Sequence, residues 1–167
     1  MAQKELQPIK FLILGDGSYK KALVNYAQRL DLFKENRVVF IGFVDDVCEY
    51  MNIFDINVNC SIGTETSSLS ISEGLSIGKP AIVSDFGGNP NMVKHGITGY
   101  VIKQADPVGL YNKILALKDK NGELYKTLSE NAAKDFKERF SDKKMTLEYE
   151  KMYTEMMYKI HHQLTKA

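Results

Sequence analysis

The 167-residue chain has no tryptophan, four prolines, two cysteines and three histidines, and its 22 basic and 21 acidic residues leave a net charge of only +1. Each scarcity excludes something. Two cysteines, Cys48 and Cys60, cannot build a disulfide framework, and without a C-x-x-C pair or clustered histidines no zinc module is readable, so no metal is expected. Both thiols read as ordinary buried side chains, with Cys60, at a strand end, alternatively bordering a site. The longest apolar run, Val38 to Val44, falls far short of the ~20 residues of a membrane span. The stretch Ile9 to Leu14 is interrupted by Lys10 and no small-residue cleavage site follows, so it is not a secretory signal. Near-neutral charge argues against general nucleic-acid binding. What remains is a soluble, cytoplasmic domain; at ~150 residues per domain the length fits one, able to bury roughly 70% of its unfolded surface.

The charge is uneven. Residues 1–100 carry nine basic and eleven acidic residues, and residues 101–167 carry thirteen and ten. The basic excess is interleaved with acids in helical sequence and reads as a solvated face. Short apolar runs alternate with helical stretches. Strands are expected at residues 9–14, 37–41, 56–59, 80–84 and 99–102, with helices at 18–32, 46–53 and 67–77 and helical sequence after Pro107 that breaks near Asn121-Gly122 and Ser141-Asp142. Gly78 is a C-cap candidate. The fold class is therefore α/β, a Rossmann-like three-layer α/β/α arrangement on a parallel sheet with C-terminal helices. Residues 1–8 read as a leader, 9–141 as the domain, and 142–167 as a helix packing on it through Met145, Tyr149, Met152, Met156 and Ile160.

In such sheets ligands bind beyond the carboxyl ends of the strands. The segments there hold most of the small polar residues. In Ser61-Ile62-Gly63-Thr64-Glu65-Thr66-Ser67-Ser68-Leu69 a strand ends and a helix begins, with Thr66 or Ser67 as N-cap candidate. Free N–H groups of its first turn make an anion site of phosphate size. Glu65 precedes that turn and Glu73 lies about 8 Å further along the axis. A carboxylate accepts two hydrogen bonds, which suits the vicinal hydroxyls of a ribose or hexose; each acid taken alone also fits plain surface charge. Gly15-Asp16-Gly17 lacks the third glycine of a dinucleotide loop. Gly87-Gly88 allows close backbone approach to a ligand, or a simple turn. His161-His162 reads as solvent-exposed, and His95 as either a turn residue or a site residue.

These residues together resemble the C-terminal, nucleotide-sugar-binding domain of the family-4 (group 1) retaining glycosyltransferases of GT-B fold. The resemblance runs from about residue 9 to 160 and is most specific over 55–102. Asp55-Ile56-Asn57-Val58 resembles the strand entering the donor site, and Glu65 and Glu73 have the E-x7-E spacing. Gly78 to Asp85, Gly87-Gly88-Asn89-Pro90 and His95 to Tyr100 follow in register, and Arg37 to Val44 matches the segment nearest the base. The resemblance implies that Glu65 is the catalytic-site acid, orienting the donor rather than attacking it, and that it and the amides of Thr66, Ser67, Ser68 and Leu69 hold the sugar and distal phosphate. It further implies that Glu73 accepts the ribose hydroxyls, that Phe43 and Val44 offer backbone to the base, and that Gly15 and Gly17 lie beside the nucleotide.

No cofactor or metal is implied beyond a UDP- or GDP-linked sugar as substrate, with a glycan or lipid-linked acceptor and a role in surface polysaccharide biosynthesis. The implied partners are a nucleotide sugar and an acceptor-binding N-terminal domain of the parent chain, with membrane-surface contact at the inner face of the cell membrane through that parent. The sequence departs from the pattern at Cys60-Ser61, at Gly74 where alanine usually follows the second acid, and at Asn91 where glutamate is common. The arginine and lysine that neutralise the family's diphosphate have no counterpart, so a fragment inactive alone is expected. A non-catalytic binding or interaction domain is the alternative.

Overall fold

A computed structural model describes residues 9–63 and 66–164. Five parallel strands alternate with helices: β1 (Phe11–Leu14), α1 (Lys20–Arg29), β2 (Val38–Gly42), α2 (Val47–Ile53), β3 (Asn57–Asn59), α3 (Leu69–Ser76), β4 (Ala81–Ser84), α4 (Asn89–Met92), β5 (Gly99–Ile102), α5 (Pro107–Leu117), α6 (Glu123–Arg139) and α7 (Asp142–Leu164). The expected elements are all present, several of them a residue or two shorter and α1 five residues shorter than expected. One expectation needs correcting: the strands form two sheets rather than one, β1-β2 and β3-β4-β5. Among the described residues no strand lies between β1 and β3 to join them.

The three-stranded sheet organises the core because β4 is buried along its whole length. Side chains alternate across a strand, so Ala81 and Val83 face Ile71 and Leu75 of α3 and Ala132 of α6. Ile82 turns to the other face with Ile114 and Leu117 of α5, where Phe11 and Ile56 also pack. This is the three-layer arrangement. Fully burying one of these aliphatic side chains contributes about 1.5–3 kcal/mol.

The helix ends follow from their sequence. Asp46 caps α2 by accepting from the Cys48 amide at 3.0 Å, and Asp106 caps α5 by accepting from the Gly109 amide at 2.8 Å. Gly78 ends α3 at a φ of +73°, which a side chain would strain. Its carbonyl accepts from the Ser129 hydroxyl of α6 at 2.6 Å, tying the two helices.

Asp135 of α6 is nearly buried and pairs with Arg139 and Lys94. The Arg139 guanidinium also donates to the carbonyls of Asn91 and Met92, each at 2.9 Å, and so holds the carboxyl end of α4. This charged cluster is an exception to the solvated face expected of the C-terminal helices.

α7 departs further. Its stripe was expected to pack on the domain, yet Met145, Tyr149, Met152, Met156 and Ile160 are all exposed, between 44% and 58%. The helix is held locally, by pairs such as Lys144–Glu148 at 2.6 Å, and its apolar stripe meets no surface among the described residues. His161 and His162 are exposed, as expected. Among the described residues no helix is long and apolar enough to cross a membrane.

Candidate functional site

One large cavity, about 1350 Å³, lies between the two sheets. At the carboxyl ends of the strands it is lined by Leu14 at the end of β1 and Gly15 after it, Phe43 and Val44 after β2, and Ser70 and Glu73 of α3. The fold thus brings four of the anticipated residues, Gly15, Phe43, Val44 and Glu73, to one opening. Gly15 has a φ of +110°, which turns the chain away from β1 and keeps side-chain bulk off the rim. Phe43 is 78% exposed. Glu73 lies on the open side of α3, while Ile71 and Leu75 point into the core.

Gly17 is not on the cavity wall. Its amide donates to the Asp16 carboxylate at 2.8 Å. That bond and the Lys20 ammonium at 2.8 Å hold the Asp16 carboxyl below its ordinary range, the lysine being the larger cause. One cation near the rim is thereby engaged with an acid.

Thr66, Ser67, Ser68 and Leu69 lie at the amino end of α3 and are not among the residues that line the cavity. The N-cap is Ser68, not Thr66 or Ser67. A side-chain network takes up its hydroxyl: Ser68 Oγ accepts from Asn59 Nδ2 at 3.0 Å and shares a hydrogen bond with Ser70 Oγ at 3.0 Å. No side-chain hydrogen bond from Ser68 closes the helix end. Glu65 lies outside the described residues.

Gly88 explains how this loop is placed. A Cβ there would collide with the Thr66 carbonyl oxygen and approach its carbon to 2.7 Å. The close approach anticipated for Gly87-Gly88 is therefore to the chain's own backbone. Ser84 Oγ, donating to the Ser61 carbonyl at 2.6 Å, fixes the loop's start to β4.

Other expectations resolve structurally. His95 Nδ1 lies 3.0 Å from the Val101 carbonyl and 3.2 Å from its amide, closing the turn before β5. Cys48 and Cys60 are exposed, not buried: Cys48 begins a short surface helix and Cys60 follows a three-residue strand. Local desolvation still raises the Cys60 pKa. Two site neighbours went unread. Ser70 is three residues before Glu73, a spacing that puts both on one helix face, and this was the available signal. Asn57 had none; its side chain donates to the Ser70 carbonyl at 2.6 Å and fills the space where a Cβ on Gly74 would sit.

The parallel strands, layered helices and opening at the strand ends define a Rossmann-like α/β domain. The sequence model described as "Glycosyl transferases group 1" matches residues 1–135. The chain belongs to this glycosyltransferase family, and its fold is a Rossmann-like half of a GT-B glycosyltransferase. It is 30% identical over 148 residues to the N-acetyl-alpha-D-glucosaminyl L-malate synthase of Bacillus anthracis, covering 89% of this chain and 38% of that protein. It is also 30% identical over 109 residues to an Escherichia coli enzyme named UDP-Gal:alpha-D-GlcNAc-diphosphoundecaprenol alpha-1,3-galactosyltransferase, covering 65% of this chain and 28% of that one. The crystal structure of Anabaena HepE in complex with UDP superposes with a TM-score of 0.82 at 26% identity, over 92% of this chain and 43% of HepE. The chain thus spans well under half the length of these relatives.

Proposed function

We propose that the chain binds the donor for a retaining glycosyltransferase, which transfers a hexose from a UDP- or GDP-sugar to a glycan or lipid-linked acceptor in surface polysaccharide biosynthesis. The observation that carries this reading is the convergence of Gly15, Phe43, Val44 and Glu73 on one opening at the strand ends. HepE, of the same fold, was crystallised with UDP and with UDP-glucose. In the proposed arrangement the base lies against the Phe43-Val44 backbone and the Gly15–Gly17 loop flanks the nucleotide. Glu73 accepts from the ribose hydroxyls. The distal phosphate sits at the amides of Thr66, Ser67, Ser68 and Leu69, and Glu65 orients the sugar. No metal or other cofactor enters. The acceptor is held by a further domain of the parent enzyme, which works in the cytoplasm at the membrane's inner face, and the chain alone does not transfer sugar.

The electrostatics explain why isolated binding should be weak. Residues 1–100 carry two more acidic than basic residues, and a helix end supplies only about half a charge against a diphosphate. Titration of the chain with UDP and with GDP, followed by NMR, should show saturable shifts at Gly15, Val44 and Ser70. Glu73→Ala should weaken that binding about 10- to 100-fold, the equivalent of one or two charge-assisted hydrogen bonds. Shifts with neither nucleotide, or equal affinity in a folded Glu73→Ala variant, would overturn the assignment.

A further inference from the structure

The short helix α4 supports the loop that leads into α3. Its four residues, Asn89–Met92, make a single turn, too little to hold its own geometry in water, so its position is set by what grips it. Three contacts tie it to the loop. Gly88, at its amino end, lies against the Thr66 carbonyl with no room for a Cβ. Asn89, wholly buried, reaches the Ser84 hydroxyl at 3.5 Å, and that hydroxyl donates to the Ser61 carbonyl at 2.6 Å. The Met92 sulfur accepts from the Ser67 hydroxyl at 3.9 Å.

The Gly88 contact also orients a peptide unit. A Cβ built there would come closest to the Thr66 oxygen, next to its carbon at 2.7 Å, and only to 3.5 Å from the Ser67 nitrogen, so the carbonyl is aimed at α4. In a planar trans peptide the C=O and N–H point opposite ways. The N–H of Ser67 is therefore turned away from α4.

The carboxyl end of α4 is gripped by α6. The Arg139 guanidinium donates from Nη1 to the Asn91 carbonyl and from Nη2 to the Met92 carbonyl, both at 2.9 Å. Its Nε donates to Asp135 at 2.9 Å, and it lies 4.5 Å from the centre of the Phe140 ring. A rigid fork holds two successive carbonyls and a carboxylate at once, which a lysine ammonium on a flexible stem does not. Both acceptors on α4 are main-chain groups, so the grip does not depend on the side chain of Asn91, where the sequence departs from its family.

We propose that Arg139 is a positioning residue for the turn at the amino end of α3: by fixing α4, it sets where the amides of Thr66, Ser67, Ser68 and Leu69 stand and how well they meet the distal phosphate of the donor. The ligand rests on the nucleotide-sugar reading above; the mechanical link does not. That link is contiguous, from the guanidinium through one helical turn to the Thr66 carbonyl and the Ser67 hydroxyl. Close-packed groups transmit displacement, so α4 cannot shift toward Thr66 without moving its peptide unit. Arg139 acts through α4, not on the phosphate.

The test uses Arg139→Lys, which keeps a positive charge beside Asp135 but loses the fork, with Arg139→Ala for comparison. Amide spectra of the free proteins come first. Ser67, Ser68 and Leu69 should shift together with the residues of α4; shifts confined to residues 89–95 and 135–142 would overturn the link. Titration with UDP and GDP against UMP and GMP then reads the consequence. Both variants should bind the diphosphate about tenfold more weakly, the equivalent of one hydrogen bond to a charged group, and the monophosphate within about twofold of the unsubstituted chain. Equal losses for the two, as general destabilisation gives, or full diphosphate affinity in Arg139→Lys, as a purely electrostatic role gives, would overturn the proposal. Should Arg139→Ala not fold, Arg139→Lys decides alone. Binding of no nucleotide by the unsubstituted chain would overturn the donor reading and the phosphate role with it, whereas the free-protein shifts decide the link from Arg139 to the turn on their own.

Discussion

Gly74→Ala is expected to change sign with its neighbour. Gly74 lies inside α3, where replacing glycine by alanine ordinarily stabilises by about 0.8–1.0 kcal/mol. In this fold the new Cβ would sit 2.6 Å from Asn57 Nδ2 and 3.3 Å from its Cβ. The Asn57 side chain must then swing away and give up its 2.6 Å hydrogen bond to the Ser70 carbonyl. Asn57 is 6% exposed, so its amide finds no ready water, and an unsatisfied buried amide costs about 1–3 kcal/mol. The net effect should be a loss of up to about 2 kcal/mol, larger cost outweighing propensity. In an Asn57→Ala background that cost is already taken, and Gly74→Ala should stabilise by close to its full propensity, about 1 kcal/mol. Urea unfolding of the four proteins, followed by tyrosine fluorescence, gives the cycle directly. Stabilisation by Gly74→Ala in both backgrounds, or a coupling below about 0.5 kcal/mol, would refute the reasoning.

Three further outcomes follow from the same geometry. Asp135→Ala strips the partner from Arg139 and Lys94; these remain 31% and 47% exposed and can rehydrate, so the loss in urea should be about 2–3 kcal/mol, below the about 3–5 of a fully buried pair. Arg139→Ala should be non-additive with it, and a simple sum of the two losses would count against the cluster. Gly88→Ala must push the Thr66 carbonyl aside; a cost of about 1–3 kcal/mol with chemical-shift changes concentrated at Thr66 to Leu69 is expected, and unmoved shifts there would contradict the contact. Desolvation disfavours the Cys60 thiolate, so alkylation of Cys60 in a Cys48→Ser variant should keep accelerating as pH rises through the ordinary thiol range, where a profile already levelling off would be the contrary result.

Much of the architecture was legible because the apolar runs are short and well punctuated. Ala81 to Ser84 between Pro80 and Asp85 could hardly be anything but a strand, and Gly78 stopped α3 where a left-handed residue was needed. Glu73 was legible as an acid set in an otherwise apolar helix. The failures are tertiary. Ser68 stands at the N-cap position without a side-chain cap because Asn59 and Ser70 engage its hydroxyl, and the Asn59 contact comes from a separate element that local spacing cannot reveal. Asp135 and Arg139 fell within helical sequence read as a solvated face, since nothing in their spacing signals the carbonyls of Asn91 and Met92. The division into two sheets was illegible for a similar reason: each strand's pattern says that it is buried, not what lies beside it.

The exposed stripe of α7 has a consequence for how stability is measured. Its 23 residues form a rod of about 34 Å whose order owes little to the core, so it should open at free energies far below global unfolding. Far-ultraviolet dichroism would record that early loss of helix as a sloping baseline or a first step, while the tyrosines near β5 and α6 still report an intact core. A protease would notice the same thing, cutting between Ser141 and the helix's end and leaving the α/β layers whole. The molecule carries one cooperative unit and an appendage, and a single melting temperature would describe neither.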